Sequence, residues 1–147
     1  MTEREKLRDK VHWAITLLSS VLGSCNRLLI SASAEKNKRI AGLSYNGSLP
    51  GQSHCDEAGH LMISGHCERT RHAEMNLKDN TDQEKLRGSH VRVPGTPCLK
   101  CLKDLAGVPV ASVELFQEIF DKLSGSGGMF NRLGYRVRLV KEPLEKK

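Results

Sequence analysis

Long apolar runs are missing from this sequence. The longest, ITLL, RLLI and VPVASV, fall far short of the ~18–20 residues that a bilayer-crossing helix needs, and no apolar stretch follows the charged start MTEREKLRDK. Neither a membrane span nor an export signal is expected, and the reading is cytoplasmic. Aromatics are scarce as well: one Trp, two Tyr and three Phe. Proteins that track single-stranded nucleic acid stack bases on aromatic rings; here the few rings lie mostly away from the basic residues, which argues against a long polymer partner. No internal repeat is visible.

What is present fits one domain over 1–147, since a single core usually serves ~100–200 residues. A hydrophobic fraction of 38% together with 13 glycines is that of an ordinary globular chain, which excludes disorder and collagen-like repeats. Lys and Arg number 23 against 17 Asp and Glu, a net charge of +6 that favours anionic partners. The charges are scattered along the chain, so a small phosphorylated molecule suits them better than nucleic acid. Five cysteines, at 25, 55, 67, 98 and 101, make an odd number that suits metal ligation or catalysis better than a disulfide framework.

Thr2 with Glu5 forms a capping-box pattern, and Leu7, Val11, Ile15, Leu18 and Leu22 recur at helical spacing, so a helix is expected over about 2–22. RLLISASA and KRIAGLSY read as a hairpin turning at Glu35–Lys38. A loop rich in Cys and His follows, with a short helix around Glu57–Ile63. A helix over Arg71–Leu77, a polar linker, a strand His90–Val93, a helix opened by Pro97 and a strand Val110–Leu115 come next. Helical stretches around Gln117–Leu123 and near Phe130, separated by SGSGG, lead to a last strand Tyr135–Val140 and a frayed tail. Strands alternating with helices predict an α/β fold: a mixed sheet with helices on both faces.

The strongest chemical signal is His72-Ala73-Glu74 followed by Pro97-Cys98-Leu99-Lys100-Cys101. Cys98 and Cys101, at i and i+3 on the first turn of a helix, send both sulfurs the same way, and the helix N-terminus favours their thiolates. One zinc can bridge them, with His72 as third ligand and the fourth tetrahedral position open, the arrangement of a catalytic site. Glu74, two residues beyond His72, points elsewhere and can shuttle a proton. HAE alone occurs by chance, and a lone C-x-x-C is more often a redox pair or half of a structural zinc knuckle. The combined pattern H-x-E…P-C-x-x-C resembles that of zinc-dependent nucleobase deaminases.

The segments CNRLLISASAEKNKRIAGLSYNGSLPGQSHCDE, GHCERTRHAEMN and TPCLKC resemble deoxycytidylate (dCMP) deaminases, including the late-competence proteins grouped with them, over about residues 7–140. The resemblance implies a three-layer α/β/α sandwich with a five-stranded sheet and zinc-dependent hydrolysis of dCMP to dUMP and ammonia, which feeds thymidylate synthesis. It also implies a homo-oligomer, often a hexamer, regulated by dCTP and dTTP, with magnesium accompanying a dCTP effector. Tyr45, Asn46 and Gly47 match a stretch that recognises substrate or effector, although Asn-Gly is also a common hairpin turn; Ala73 falls within the same site. A second, structural zinc is implied at Cys25, Cys55 and either Cys67 or His66, with His60 as a further candidate. Arg69 and Arg71, just ahead of the zinc histidine, are candidates for a 5′-phosphate. Leu77 and Ser44 depart from the family pattern, which has Ala and Gly there. Two rival readings are a deaminase of a polynucleotide, either tRNA adenosine or single-stranded DNA cytosine, and a non-catalytic zinc-stabilised nucleotide-binding module.

Overall fold

The structure, a computed structural model, describes residues 1–24, 30–48, 51–94, 99–116 and 136–140. Helix α1 (Glu3–Ser19) starts at the capping box foreseen from Thr2: Glu5 N–H donates to Thr2 Oγ1 (3.1 Å) and Thr2 N–H to Glu5 Oε2 (2.7 Å). It ends in a single 3-10 turn, Ser20–Leu22. Strands β1 (Ser31–Lys36) and β2 (Arg39–Tyr45) form the expected hairpin. Asn37 and Lys38, at φ 53° and 68°, supply the two left-handed positions of its turn. Then come α2 (Cys55–Ala58), β3 (Met62–Ile63), β4 (His66–Cys67), α3 (Ala73–Asn80), α4 (Gln83–Leu86), β5 (His90–Arg92), α5 (Leu99–Ala106), β6 (Ser112–Phe116) and β7 (Arg136–Val140). The sheet order is β2-β1-β5-β6-β7, antiparallel through β5 and parallel from β5 to β7, while β3 and β4 pair separately.

The sheet has two unlike faces, because alternate residues of each strand point to opposite sides. On one side Ala32, Ala34, Val91, Val93 and Val113 join Ala73 and Leu77 of α3 and Leu105 of α5 in a buried apolar cluster. Removing a side chain such as Leu77 or Leu105 from water stabilises the fold by about 1.5–3 kcal/mol. On the other side lies α1, over polar neighbours: Thr16 Oγ1 bonds Ser33 Oγ (2.6 Å), His12 pairs with Glu35, and Ser31 Oγ donates to the Thr16 carbonyl. Arg92, 1% exposed, reaches Asp9 (2.9 Å), Glu35 (3.4 Å) and Glu114 (3.0 Å). Helices thus lie on both faces of a mixed sheet.

The local differences from expectation have local causes. The short helix placed at Glu57–Ile63 runs instead from Cys55 to Ala58: Glu57 accepts from His54 N–H (3.4 Å) at its start, and Gly59, at φ 80°, ends it. The residues that follow form the β3–β4 hairpin around Ser64 and Gly65, at φ 51° and 80°. The polar stretch after Leu77 is not a linker. α3 continues to Asn80, and α4 follows because Asp82 accepts from Glu84 N–H (2.8 Å) and Leu86 is fully buried. The helical segments expected around Gln117–Leu123 and near Phe130 lie outside the described residues.

Candidate metal and nucleotide site

His72 is the N-cap of α3, in extended backbone, which puts Glu74 in the first turn of that helix. α5 packs beside α3, and its Cys101 Sγ comes within 3.4 Å of His72 Nδ1. One ligand atom from each of His72, Glu74 and Cys101 lies within 4.8 Å of the others. Glu74 and Cys101 are each 2% exposed, whereas His72 is exposed, so solvent reaches the cluster from one side. Burial drives the Glu74 carboxyl above its usual range, against the opposing pull of its own backbone N–H, His72 and Cys101. Its Oε1 is buried without a hydrogen-bond partner among the described residues. An imidazole and a thiol within one ion's reach are donors that fit zinc, and the buried Glu74 carboxyl beside them, with an oxygen left without a partner, is placed to carry a proton. Cys98 lies outside the described residues.

A second cluster joins Cys55 at the start of α2, His60 in the irregular segment that follows and Cys67 in β4, again with ligand atoms within 4.8 Å. The Cys55 and Cys67 sulfurs are 3.5 Å apart. Burial pushes the Cys67 thiol up, but the backbone N–H groups of Thr70 and Arg69 and the side chains of Cys55 and His60 outweigh it and bring the value to about 6. Cys25 lies outside the described residues; the backbone of His66 is in β4 beside Cys67.

Tyr45, Asn46 and Gly47 lie where β2 ends. Asn46 Oδ1 accepts from Ile30 N–H (2.9 Å), and Gly47 exchanges backbone bonds with Arg71 (3.1 and 2.8 Å). This stitches the turn to the segment that leads into His72. A Cβ on Gly47 would come within 3.2 Å of Ser24 Oγ and 3.4 Å of His54 Cε1, so glycine allows the close approach there. Two residues to which the sequence reading gave no role shape this region. Asn76 Nδ2 donates to the carbonyls of Tyr45 (3.0 Å) and Gly47 (3.3 Å), while His54 Nδ1 accepts from Ser48 N–H (3.4 Å) and pairs with Ser24 Oγ (2.7 Å). The signals for Asn76 were its place at the end of the family-like segment GHCERTRHAEMN and its position one helical turn after His72. A cavity of about 260 Å³ is lined by Ser44, Tyr45, Gly47, His54, Asn76 and Asn80 among others, but not by His72, Glu74 or Cys101. Arg69 Nε donates to the Gly59 carbonyl (2.9 Å), and Arg71 pairs with Asp79 (2.5 Å), so both guanidinium groups already hold the fold.

ComE operon protein 2 of Bacillus subtilis (strain 168) is 32% identical over 139 residues, covering 90% of this chain and 73% of that protein. This chain belongs to the cytidine and deoxycytidylate deaminase superfamily. No family model matches the chain. Solved structures of the superfamily share its fold. The dCMP deaminase of cyanophage S-TIM5, in complex with dCMP and dUMP, is 22% identical with a TM-score of 0.69, covering 95% of this chain and 99% of its own. The diaminohydroxyphosphoribosylaminopyrimidine deaminase/5-amino-6-(5-phosphoribosylamino)uracil reductase of Thermotoga maritima is 17% identical, with a TM-score of 0.55, covering 92% of this chain and 37% of its own. Where this deaminase-superfamily chain departs from the expected motif, packing absorbs the change. Ser44 Oγ donates to the Ala73 carbonyl (3.2 Å), binding β2 to the start of α3, and Leu77 is fully buried in the core.

Proposed function

We propose that this chain is a zinc-dependent hydrolytic deaminase of a free cytosine deoxynucleotide, converting dCMP and water to dUMP and ammonia. The observation that carries the reading is the buried Glu74 carboxylate, with one unpartnered oxygen, beside His72 and Cys101. His72 and Cys101, with Cys98, would hold the zinc. When bound, it supplies the Lewis acidity that makes water a competent nucleophile at neutral pH. Glu74 would take a proton from the attacking water and give it to the ring nitrogen of the base, then take the remaining proton of the added hydroxyl and pass it to the amine, so that the C–N bond breaks as the carbonyl forms and ammonia leaves. Its burial suits it to hold a proton between these transfers. Tyr45, Asn46 and Gly47, with Ala73 at the helix start, would meet the nucleotide as substrate or as a dCTP or dTTP effector. Arg69 would contribute its remaining guanidinium nitrogens to a 5′-phosphate.

Cys55, His60 and Cys67, joined by Cys25 or His66, would hold a second, structural zinc that clamps the loop. Assembly into a homo-oligomer completes the reading.

Incubating the zinc-loaded protein with dCMP, dCTP and a tRNA anticodon stem, and measuring released ammonia, separates the substrates. Turnover of dCMP above the other two is expected. Turnover of the tRNA stem alone would transfer the activity to a polynucleotide, and no turnover of any would leave a nucleotide-binding module.

A further inference from the structure

The buried side of α1 is the side that carries its polar groups. His12, Trp13, Thr16 and Ser19 face the sheet, whereas Leu7, Val11, Ile15, Leu18, Val21 and Leu22 are 53, 48, 39, 72, 70 and 62% exposed. Rotation of the helix to bury this stripe is opposed by the bonds of its inner side: His12 to Glu35, Thr16 to Ser33 and Asp9 to Arg92. Turning α1 over would leave these groups buried without partners, at a cost of several kcal/mol. The polar layer therefore holds the apolar residues outward.

We propose that this outward stripe is a self-association surface, on which a second copy of the chain lays its own α1 antiparallel about a two-fold axis. The spacing is self-complementary about Ala14–Ile15. In the antiparallel pair Leu7 faces the partner's Leu22, Val11 faces the partner's Leu18, and Ile15 sits close to its own symmetry mate, which is the requirement of an isologous contact. The seam is about 22 Å long at 1.5 Å per residue. The six side chains expose on the order of 500–600 Å² together, at the top of what single chains leave uncovered. With the stems of flanking charged residues, that approaches the ~800 Å² each partner gives to a standard interface. Charge agrees: the last turn of α1 has no basic residue, and Arg4, on the outward face one turn before Leu7, would lie beside that carbonyl end of the partner's helix. A membrane surface fits less well, because an interfacial helix keeps its polar face toward water and here that face is buried in the protein. This inference rests on the homo-oligomer of the proposed function, to which it gives a surface, and is independent of the metal cluster and of the nucleotide.

Sedimentation velocity of the zinc-loaded full chain at tens of micromolar tests it. The wild type should run at an even multiple of 16.3 kDa, and Val11→Glu and Leu18→Glu should run at half the wild-type mass with unchanged circular dichroism. A photo-reactive side chain introduced at Ile15 of the otherwise wild-type chain should join two α1 helices covalently, a readout that stands even if a charge variant fails to fold. A single-chain wild type, an unchanged mass in folded charge variants, or a monomer that attaches to phosphatidylglycerol vesicles through α1 would each overturn it.

Discussion

The two sulfur and imidazole clusters have similar atoms at similar spacing but rest on different supports. His72, Glu74 and Cys101 stand at the starts of α3 and α5, braced by fully buried Ala73, Leu77 and Leu105. Cys55, His60 and Cys67 stand on a four-residue helix, an irregular segment and a two-residue strand, next to Leu61, Met62 and Ile63, which are 47, 44 and 52% exposed. Hydrophobic packing holds the first cluster in shape before any metal arrives. The second has little apolar surface beneath it, so ligation itself would supply its rigidity. On the proposed reading, one is a site built on a core and the other a clasp on a loop.

The largest expected effect tests the chemical side of that contrast. Glu74→Gln should lower turnover of dCMP by about 10²–10⁴-fold, the usual contribution of a positioned proton carrier, while zinc content and melting temperature stay near wild type. Turnover within a factor of two of wild type would remove Glu74 from the mechanism. Support by the core predicts that Leu77→Ala costs about 2–5 kcal/mol in denaturant unfolding, whereas Ile63→Ala, beside the second cluster, costs less than ~0.5 kcal/mol. Equal losses would erase the distinction between the two supports.

Cys67→Ser should release one zinc per chain, measured by elemental analysis, and speed proteolysis between residues 51 and 70 while the ion at the first cluster is retained. Loss of both ions together would mean that the clusters are one structural unit. The smallest effect is in pH. The Cys67 thiol sits at about 6, below its usual range, so the folded chain favours the thiolate. That contribution to stability is complete above the unfolded value, near 8.5, and is lost as pH falls through 6. Iodoacetamide labelling of chelator-treated protein should therefore lose its Cys67 adduct with a midpoint near 6, and a midpoint near 8.5 would show an ordinary thiol.

Much of this arrangement was legible from local signals. The Thr2 capping box, the β1–β2 hairpin and the pairing of His72-Ala73-Glu74 with Cys101 depend on residues close in sequence or on a spacing whose chemistry is specific. His54 and Asn76 were not legible, because their partners, Ser24 and the carbonyls of Tyr45 and Gly47, lie 29 to 31 residues away. The β3–β4 hairpin was missed because its strands are only two residues each, too short for any periodicity. α4 was missed because its four residues include a single apolar side chain, and only burial against the core makes Leu86 informative.

Helix α1 marks the boundary most clearly. Its sequence by itself determined where the helix starts, through Thr2 and Glu5, and that five apolar residues share one face. It did not determine which face turns inward, since periodicity is the same whichever side meets the sheet. Ser31, Ser33, Glu35 and Arg92, brought together from two strands, decided that by offering α1 a polar layer to bond. Local sequence sets a helix's pattern, but the partner surface sets its orientation, because a buried polar group must be satisfied by neighbours that only the tertiary fold supplies.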